Sequence, residues 1–293
     1  MYIKDMFHKK TVMSLEIFPP KTTSPIDTVL NTLEELKDLK PDFISVTYGA
    51  AGSGRSNTTK IASLIKNKYN IEALAHLTCI SSTEAEIDNI LKELKDNNIQ
   101  NILALRGDIP VDTDVKGEFT YANDLVQRIK EAGDFSVSAA CYPEGHVEAS
   151  NLIEDMKNLK LKVKSGADFL ITQMFFDNGL FYNFREKLDL LGVNIPVSAG
   201  IMPVINKKQI EKITSFCGAS LPAKFKRILL KYENNPEALK QAGIVYATEQ
   251  IIDLLAEGVD GIHLYTMNRP EVAKKIFENF DSIRHSEDSQ CCL

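Results

Sequence analysis

Residues 14–20 read SLEIFPP, a short apolar run that carries one carboxylate, Glu16, near its end and is then halted by two prolines. Proline lacks a backbone N–H and fixes φ, so a strand must stop there. A strand that hides from water along its length but ends in an acid has its end at a surface with work for that acid. The same arrangement recurs along the chain. Eight β-rich runs, TVMSLEIF, FISVTY, IEALAHLTC, NILALRG, SVSAACY, FLITQMFF, PVSAGIM and GIHLYTM, alternate with helix-period segments such as 26–39, 84–96, 121–132 and 149–165. In those segments apolar residues return at three- and four-residue steps. Alternation of this kind predicts parallel strands joined by crossover helices. Eight units favour a closed (β/α)8 TIM barrel over an open doubly wound sheet, and no G-x-G-x-x-G follows the first strand.

The only long departure is 216–257, where two or three helices are expected to decorate the barrel before its last strand. Residues 1–293 are read as one catalytic barrel domain, with 281–293 a flexible tail. Apolar residues at 44% and charged residues at 25% of a 293-residue chain supply a sizeable core. A formal charge of −6, from 34 basic and 40 acidic residues with no basic cluster, argues against a nucleic-acid surface. No run reaches the roughly 20 apolar residues of a membrane span, so the cytoplasm is the expected location. The five cysteines, Cys79, Cys141, Cys217, Cys291 and Cys292, lack metal-site spacing. The first three read as buried thiols and the last two as part of the tail.

In a TIM barrel the strand C-termini converge on one rim, so polar residues there face a common site. Glu16 ends the first strand, Thr47 and Tyr48 the second, and His76 and Thr78 the third. Arg106, Gly107 and Asp108 follow the fourth, Tyr142 ends the fifth, Gln173 lies in the sixth and Arg269 follows the eighth. An isolated Glu16 would be read as a turn cap or a lysine partner. Between Leu15, Ile17 and Phe18, partial burial would disfavour its charged form and make it a general acid. Arg106 and Asp108 are equally open to a local salt bridge or to ligand contact, and Gly107 would let a flat ligand approach the backbone. VTYGAAGSGRSNTT reads as a mobile glycine loop or as amides exposed to a cofactor; no phosphate-loop lysine follows it. Tyr142 and His146 can cover a planar ring at the mouth, whereas Asp155, Asn158 and Lys162 alone would be a solvated helix face.

Together SLEIFPP, SVTYGA, HLTC, LALRGD, AACYPEGH, ITQMFFD, GIMPV and LYTMNR, in this order from about residue 13 to about residue 280, resemble methylenetetrahydrofolate reductases. The resemblance implies a flavin barrel in which Glu16 is the acid that generates and protonates the folate iminium, with Asp108 close to flavin and pterin. It implies flavin contacts at Thr47, Tyr48, Ala50, His76, Arg106, Gly107, Asp108, Ala122, Tyr142, His146, Ala149, Asp155, Asn158 and Lys162. Gln173, Gln209 and Arg269 match folate-contacting positions. Leu161 stands where relatives often place an arginine, so FMN is an alternative to the expected FAD. Ile213 replaces a phenylalanine that stacks on nicotinamide in some bacterial relatives, which leaves the donor as NAD(P)H or an electron-delivering protein subunit. A homo-oligomer or a hetero-complex is expected by the same resemblance. The competing readings are a flavin barrel of proline-dehydrogenase type and a non-catalytic folate-binding subunit.

Overall fold

The computed structural model describes residues 1–20, 27–48, 55–109 and 117–288. Eight parallel strands close in chain order: β1 (Val12–Ile17), β2 (Phe43–Val46), β3 (Glu72–Thr78), β4 (Asn101–Leu105), β5 (Ser136–Cys141), β6 (Phe169–Thr172), β7 (Val197–Ile201) and β8 (Gly261–Tyr265). The last strand returns to the first in the register Val12↔Gly261 to Glu16↔Tyr265. Each expected run therefore holds one strand, and the architecture is a TIM barrel. Thr47, Tyr48 and Gln173 fall just beyond their strands instead of within them.

Around the barrel lie α1 (Asp27–Leu36), α2 (Arg55–Asn67), α3 (Glu84–Asp96), α4 (Ala122–Ala132), α5 (Leu152–Lys164), α6 (Asn178–Leu190), α7 (Lys207–Cys217), α8 (Ala223–Tyr232), α9 (Pro236–Ala256) and α10 (Pro270–Asp288). α3 shows how local sequence sets such a helix. Thr83 Oγ1 accepts from the Glu86 N–H at 3.3 Å while the Glu86 carboxylate accepts from the Thr83 N–H at 2.9 Å, so two otherwise unpaired donors are satisfied. Ile87, Leu91 and Leu94 then recur on one face and are buried. Burial of each stabilises the fold by about 1.5–3 kcal/mol, and Asn98, at φ 63°, turns the chain toward β4.

The 216–257 departure resolves into the end of α7 followed by α8 and α9. α9 crosses close behind the loop after β7 because Gly243 has no side chain: a Cβ there would lie 1.8 Å from the Val204 carbonyl oxygen. α10 continues through Asp288, into the stretch 281–293 read from sequence as a tail. Its apolar residues Ile276, Phe277 and Phe280 are buried and carry the helix past the expected end. Cys291 and Cys292 lie outside the described residues. Cys79 and Cys141 are buried and Cys217 is partly so, and burial pushes the Cys79 thiol up to about 12. Among the described residues no helix is long and apolar enough to cross a membrane.

Inside the barrel the side chains form layers. At the N-terminal end Ile3 and Met6, from a short 3-10 turn (Ile3–Asp5) and the residue after it, pack with Val12, Phe43, Leu74, Leu103 and Phe169. Ile3 N–H donates to Asn101 Oδ1 at 2.8 Å, which fixes the turn against β4. Above this apolar floor Ser14, Ser45, Ser138, Ser198 and His263 are buried. Above them Glu16 and His76 approach the C-terminal mouth.

Candidate functional site

Glu16, one residue before the end of β1, leaves 17% of its side chain exposed at the mouth. Among the described residues no lysine pairs with it. Its Oε2 lies 3.5 Å from His263 Nε2 and 3.6 Å from His76 Nε2. His76 is held well below the ordinary imidazole range, at about 4, by burial, with the nearby Glu16 carboxylate opposing and His263 reinforcing the shift. At neutral pH the Glu16–His76 approach is therefore a contact with a neutral ring, and His76 Nε2 has no hydrogen-bond partner among the described residues. On the other side, Ser14 Oγ donates to the Ile262 carbonyl at 3.1 Å and lies 2.8 Å from His263 Nδ1. With its single proton so placed, Ser14 accepts from Nδ1–H, which assigns the Nε2 lone pair to the side facing Glu16. That nitrogen lies 3.5 Å from both Glu16 Oε2 and Ser45 Oγ.

A second cluster lies across the mouth, after β4 and β5. Arg106 follows β4 and meets not Asp108 but Glu148, in a bidentate pair of 2.5 and 2.8 Å. The hydrogen bond to Arg106 holds the Glu148 carboxyl below its usual range, and the same bond raises the guanidinium. Tyr142 and His146 meet edge to face with ring centroids 4.7 Å apart. Lys162 reaches back from α5 to donate to the Ala140 carbonyl at 3.0 Å and sits 5.8 Å from the Tyr142 ring centroid. Burial depresses the Lys162 ammonium; burial also raises Asp155, whose charge Lys162 favours. Asp155 and Lys162 are thus not the solvated face that spacing alone suggests, whereas Asn158 is exposed.

The family model described as methylenetetrahydrofolate reductase matches residues 2–281. The chain belongs to the methylenetetrahydrofolate reductase family. It is 39% identical over 264 residues to the 5,10-methylenetetrahydrofolate reductase of Escherichia coli K12, with 90% of this chain and 88% of that protein covered. Over 296 residues it is 38% identical to methylenetetrahydrofolate reductase (NADH) 1 of Arabidopsis thaliana, covering 96% of this chain and 50% of the plant protein. The chain spans about half the length of the plant relatives it matches. A protein from Clostridium thermocellum that binds two copies of 5-methyl-5,6,7,8-tetrahydrofolic acid superposes with a TM-score of 0.66. That comparison covers 97% of this chain and 99% of the other at 12% identity, a likeness of fold alone.

The residues expected from methylenetetrahydrofolate reductases divide by position. Glu16 and His76 come together over the barrel axis, while Arg106, Tyr142, His146, Asp155 and Lys162 form the second cluster. Asp108 is exposed beside Arg106, and Gly107 has φ 87°, which its missing Cβ permits. Thr47 is tied to β1 by its N–H to the Ile17 carbonyl at 3.0 Å, and Tyr48 packs partly buried on the main core. Ala122 is buried at the start of α4, and the Ala149 N–H donates to the His146 carbonyl at 2.9 Å. Gln173 turns its Oε1 to the Met174 N–H at 2.9 Å, and Gln209 lies in the first turn of α7. The Arg269 guanidinium, 55% exposed, lies 3.8 Å from Glu271. Ala50 falls outside the described residues. Sequence reasoning missed His263 and Glu148. The signal for His263 was the alternation His263, Tyr265 in β8, which puts both on the inner face; Glu148 gave none.

Proposed function

We propose that this chain reduces 5,10-methylenetetrahydrofolate to 5-methyltetrahydrofolate with a bound flavin, FAD in preference to FMN, and with Glu16 as general acid. The carrying observation is the Glu16 carboxylate, open to the mouth and flanked by imidazole nitrogens at 3.5 and 3.6 Å, in a chain of this family. A flavin, when bound, supplies the hydride chemistry that side chains lack. The residues fit one. His76 Nε2 is buried and has no hydrogen-bond partner among the described residues, Gly107 gives close backbone approach, and Arg106 and Lys162 offer cations to a diphosphate or ribityl chain.

From Oε2, Glu16 gives its proton to the bridging nitrogen that departs as the substrate's five-membered ring opens. The one-carbon unit left on the other nitrogen is cationic and accepts hydride. His263, its ring fixed by Ser14, stands 3.5 Å from Glu16 Oε2 and restricts the orientation of the carboxyl. Asp108, exposed at the rim, favours the positive charge that develops there.

Ile213, partly buried against the α7–α8 core, supports a second reading of the donor alone. It offers packing area but no ring face to a nicotinamide, which favours electron delivery by a partner protein. Anaerobic purification, flavin identification and titration with 5-methyltetrahydrofolate test the folate half-reaction. Bleaching of the flavin band is expected, and an unchanged spectrum at saturating folate rejects the proposal. Rapid bleaching by NADH or NADPH of the isolated chain would reject the partner donor.

A further inference from the structure

The β1–β8 ladder ends at the acid. Thr266 N–H reaches the Glu16 carbonyl at 3.3 Å, and Thr266 Oγ1 donates to the same oxygen at 2.6 Å. In a continuing parallel ladder the next contacts on Phe18 would come from the backbone of residues 266 and 268. Instead β8 turns away through two consecutive non-glycine residues at positive φ, Met267 and Asn268, both at 53°. The Asn268 side chain takes over the ladder. Its Oδ1 accepts from the Phe18 N–H at 3.0 Å and its Nδ2 donates to the Phe18 carbonyl at 2.8 Å. A primary amide has the same donor and acceptor as a peptide unit, so it stands in for one. Asn268 N–H, in turn, donates to Thr266 Oγ1 at 3.1 Å, which links the two clamps.

Left-handed backbone at a non-glycine residue costs about 1–2 kcal/mol, less for asparagine than for methionine. Two in succession are kept here by the contacts above. Their effect is specific: the rim above Glu16 stays open, because β8 does not run on past it, while the β1 end stays paired as though it did. We propose that Asn268 is a positioning residue for Glu16, holding Glu16–Phe18 so that the carboxyl keeps its place between His263 and His76 beneath an open mouth. This rests on the reading of Glu16 as the acid of the folate half-reaction.

Three variants of the flavin-loaded protein test it: Asn268→Gly, Asn268→Asp and Met267→Gly. Glycine at 268 tolerates the positive φ and removes only the amide. Aspartate keeps the acceptor for Phe18 N–H but turns a carboxylate toward the Phe18 carbonyl. Glycine at 267 relieves strain and leaves the clamp. The readouts are the limiting rate of flavin reduction by 5-methyltetrahydrofolate, the dissociation constants of folate and flavin, and the unfolding midpoint. Misplacing a reacting group by about 1 Å costs up to about a hundredfold. The expected result is a limiting rate about ten- to a hundredfold lower in both Asn268 variants, with both dissociation constants unchanged, a midpoint lowered by only a few degrees, and Met267→Gly matching the native limiting rate. Limiting rates equal to native in the Asn268 variants overturn the proposal, as does a loss that only parallels lost flavin or a collapsed midpoint. If the native flavin is not reduced by the folate at all, the functional reading fails first and this inference falls with it.

Discussion

Replacing His76 by glutamine should flatten the acid side of the protein's stability curve. The folded imidazole binds a proton only near pH 4, while an exposed one does so near 6.5, because burial beneath the barrel mouth penalises the cation. Between these values the unfolded chain holds the extra proton. Stability from neutral His76 is therefore complete above about pH 6.5 and is lost as pH falls toward 4. The slope is about 1.4 kcal/mol per pH unit. From pH 6.5 to 5 the native protein should lose about 2 kcal/mol that the variant keeps, since glutamine does not titrate and its amide can still meet Glu16. Urea unfolding of the flavin-free protein at pH 7.5, 6.5, 5.5 and 5.0, followed by far-ultraviolet circular dichroism, measures the difference between the two curves. Groups that do not interact with His76, Asp155 among them, cancel in that difference. Parallel curves would show that His76 titrates normally in the fold, and the neutral-ring picture of the site would be wrong.

Two further outcomes are expected. Glu16→Gln removes the proton donor while keeping the shape of the mouth, so flavin content should hold while folate turnover falls by about 10²–10⁴-fold; near-native turnover in steady-state assays would reject the acid role. Glu148→Gln frees the Arg106 guanidinium from its carboxylate partner. That pair is 22% and 52% exposed, so it is worth about 0.2–1 kcal/mol. Flavin fluorescence titration of the apoprotein should then show a dissociation constant roughly two- to fivefold lower, with a stronger salt dependence; unchanged or weaker binding would mean that Glu148 does not compete for the Arg106 fork.

The fold was legible because eight apolar runs and their intervening helices keep separate periods. Glu16 showed itself by contrast with Leu15 and Ile17. His263 did not, because a histidine inside an apolar strand is usually a satisfied core residue, and only closure of β8 onto β1 brings it to Ser14 and Glu16. The Arg106 partner was equally hidden: Asp108 is two residues away in sequence, whereas Glu148 comes from the loop after β5. α10 ran beyond the expected boundary because a polar, charged stretch says little about a helix whose few apolar residues are all on the packed side. Asn268 lay in plain view in LYTMNR, but its value depends on a backbone reversal that composition does not encode.

The hydrophobic stopper at the foot of the barrel has a consequence for supply. Among the described residues Ile3, Met6 and Phe169, packed below the serines, close the foot of the barrel. In the proposed reaction a replacement proton for Glu16 would arrive through the same opening that the folate would occupy, so recharging the acid would wait on the ligand's departure.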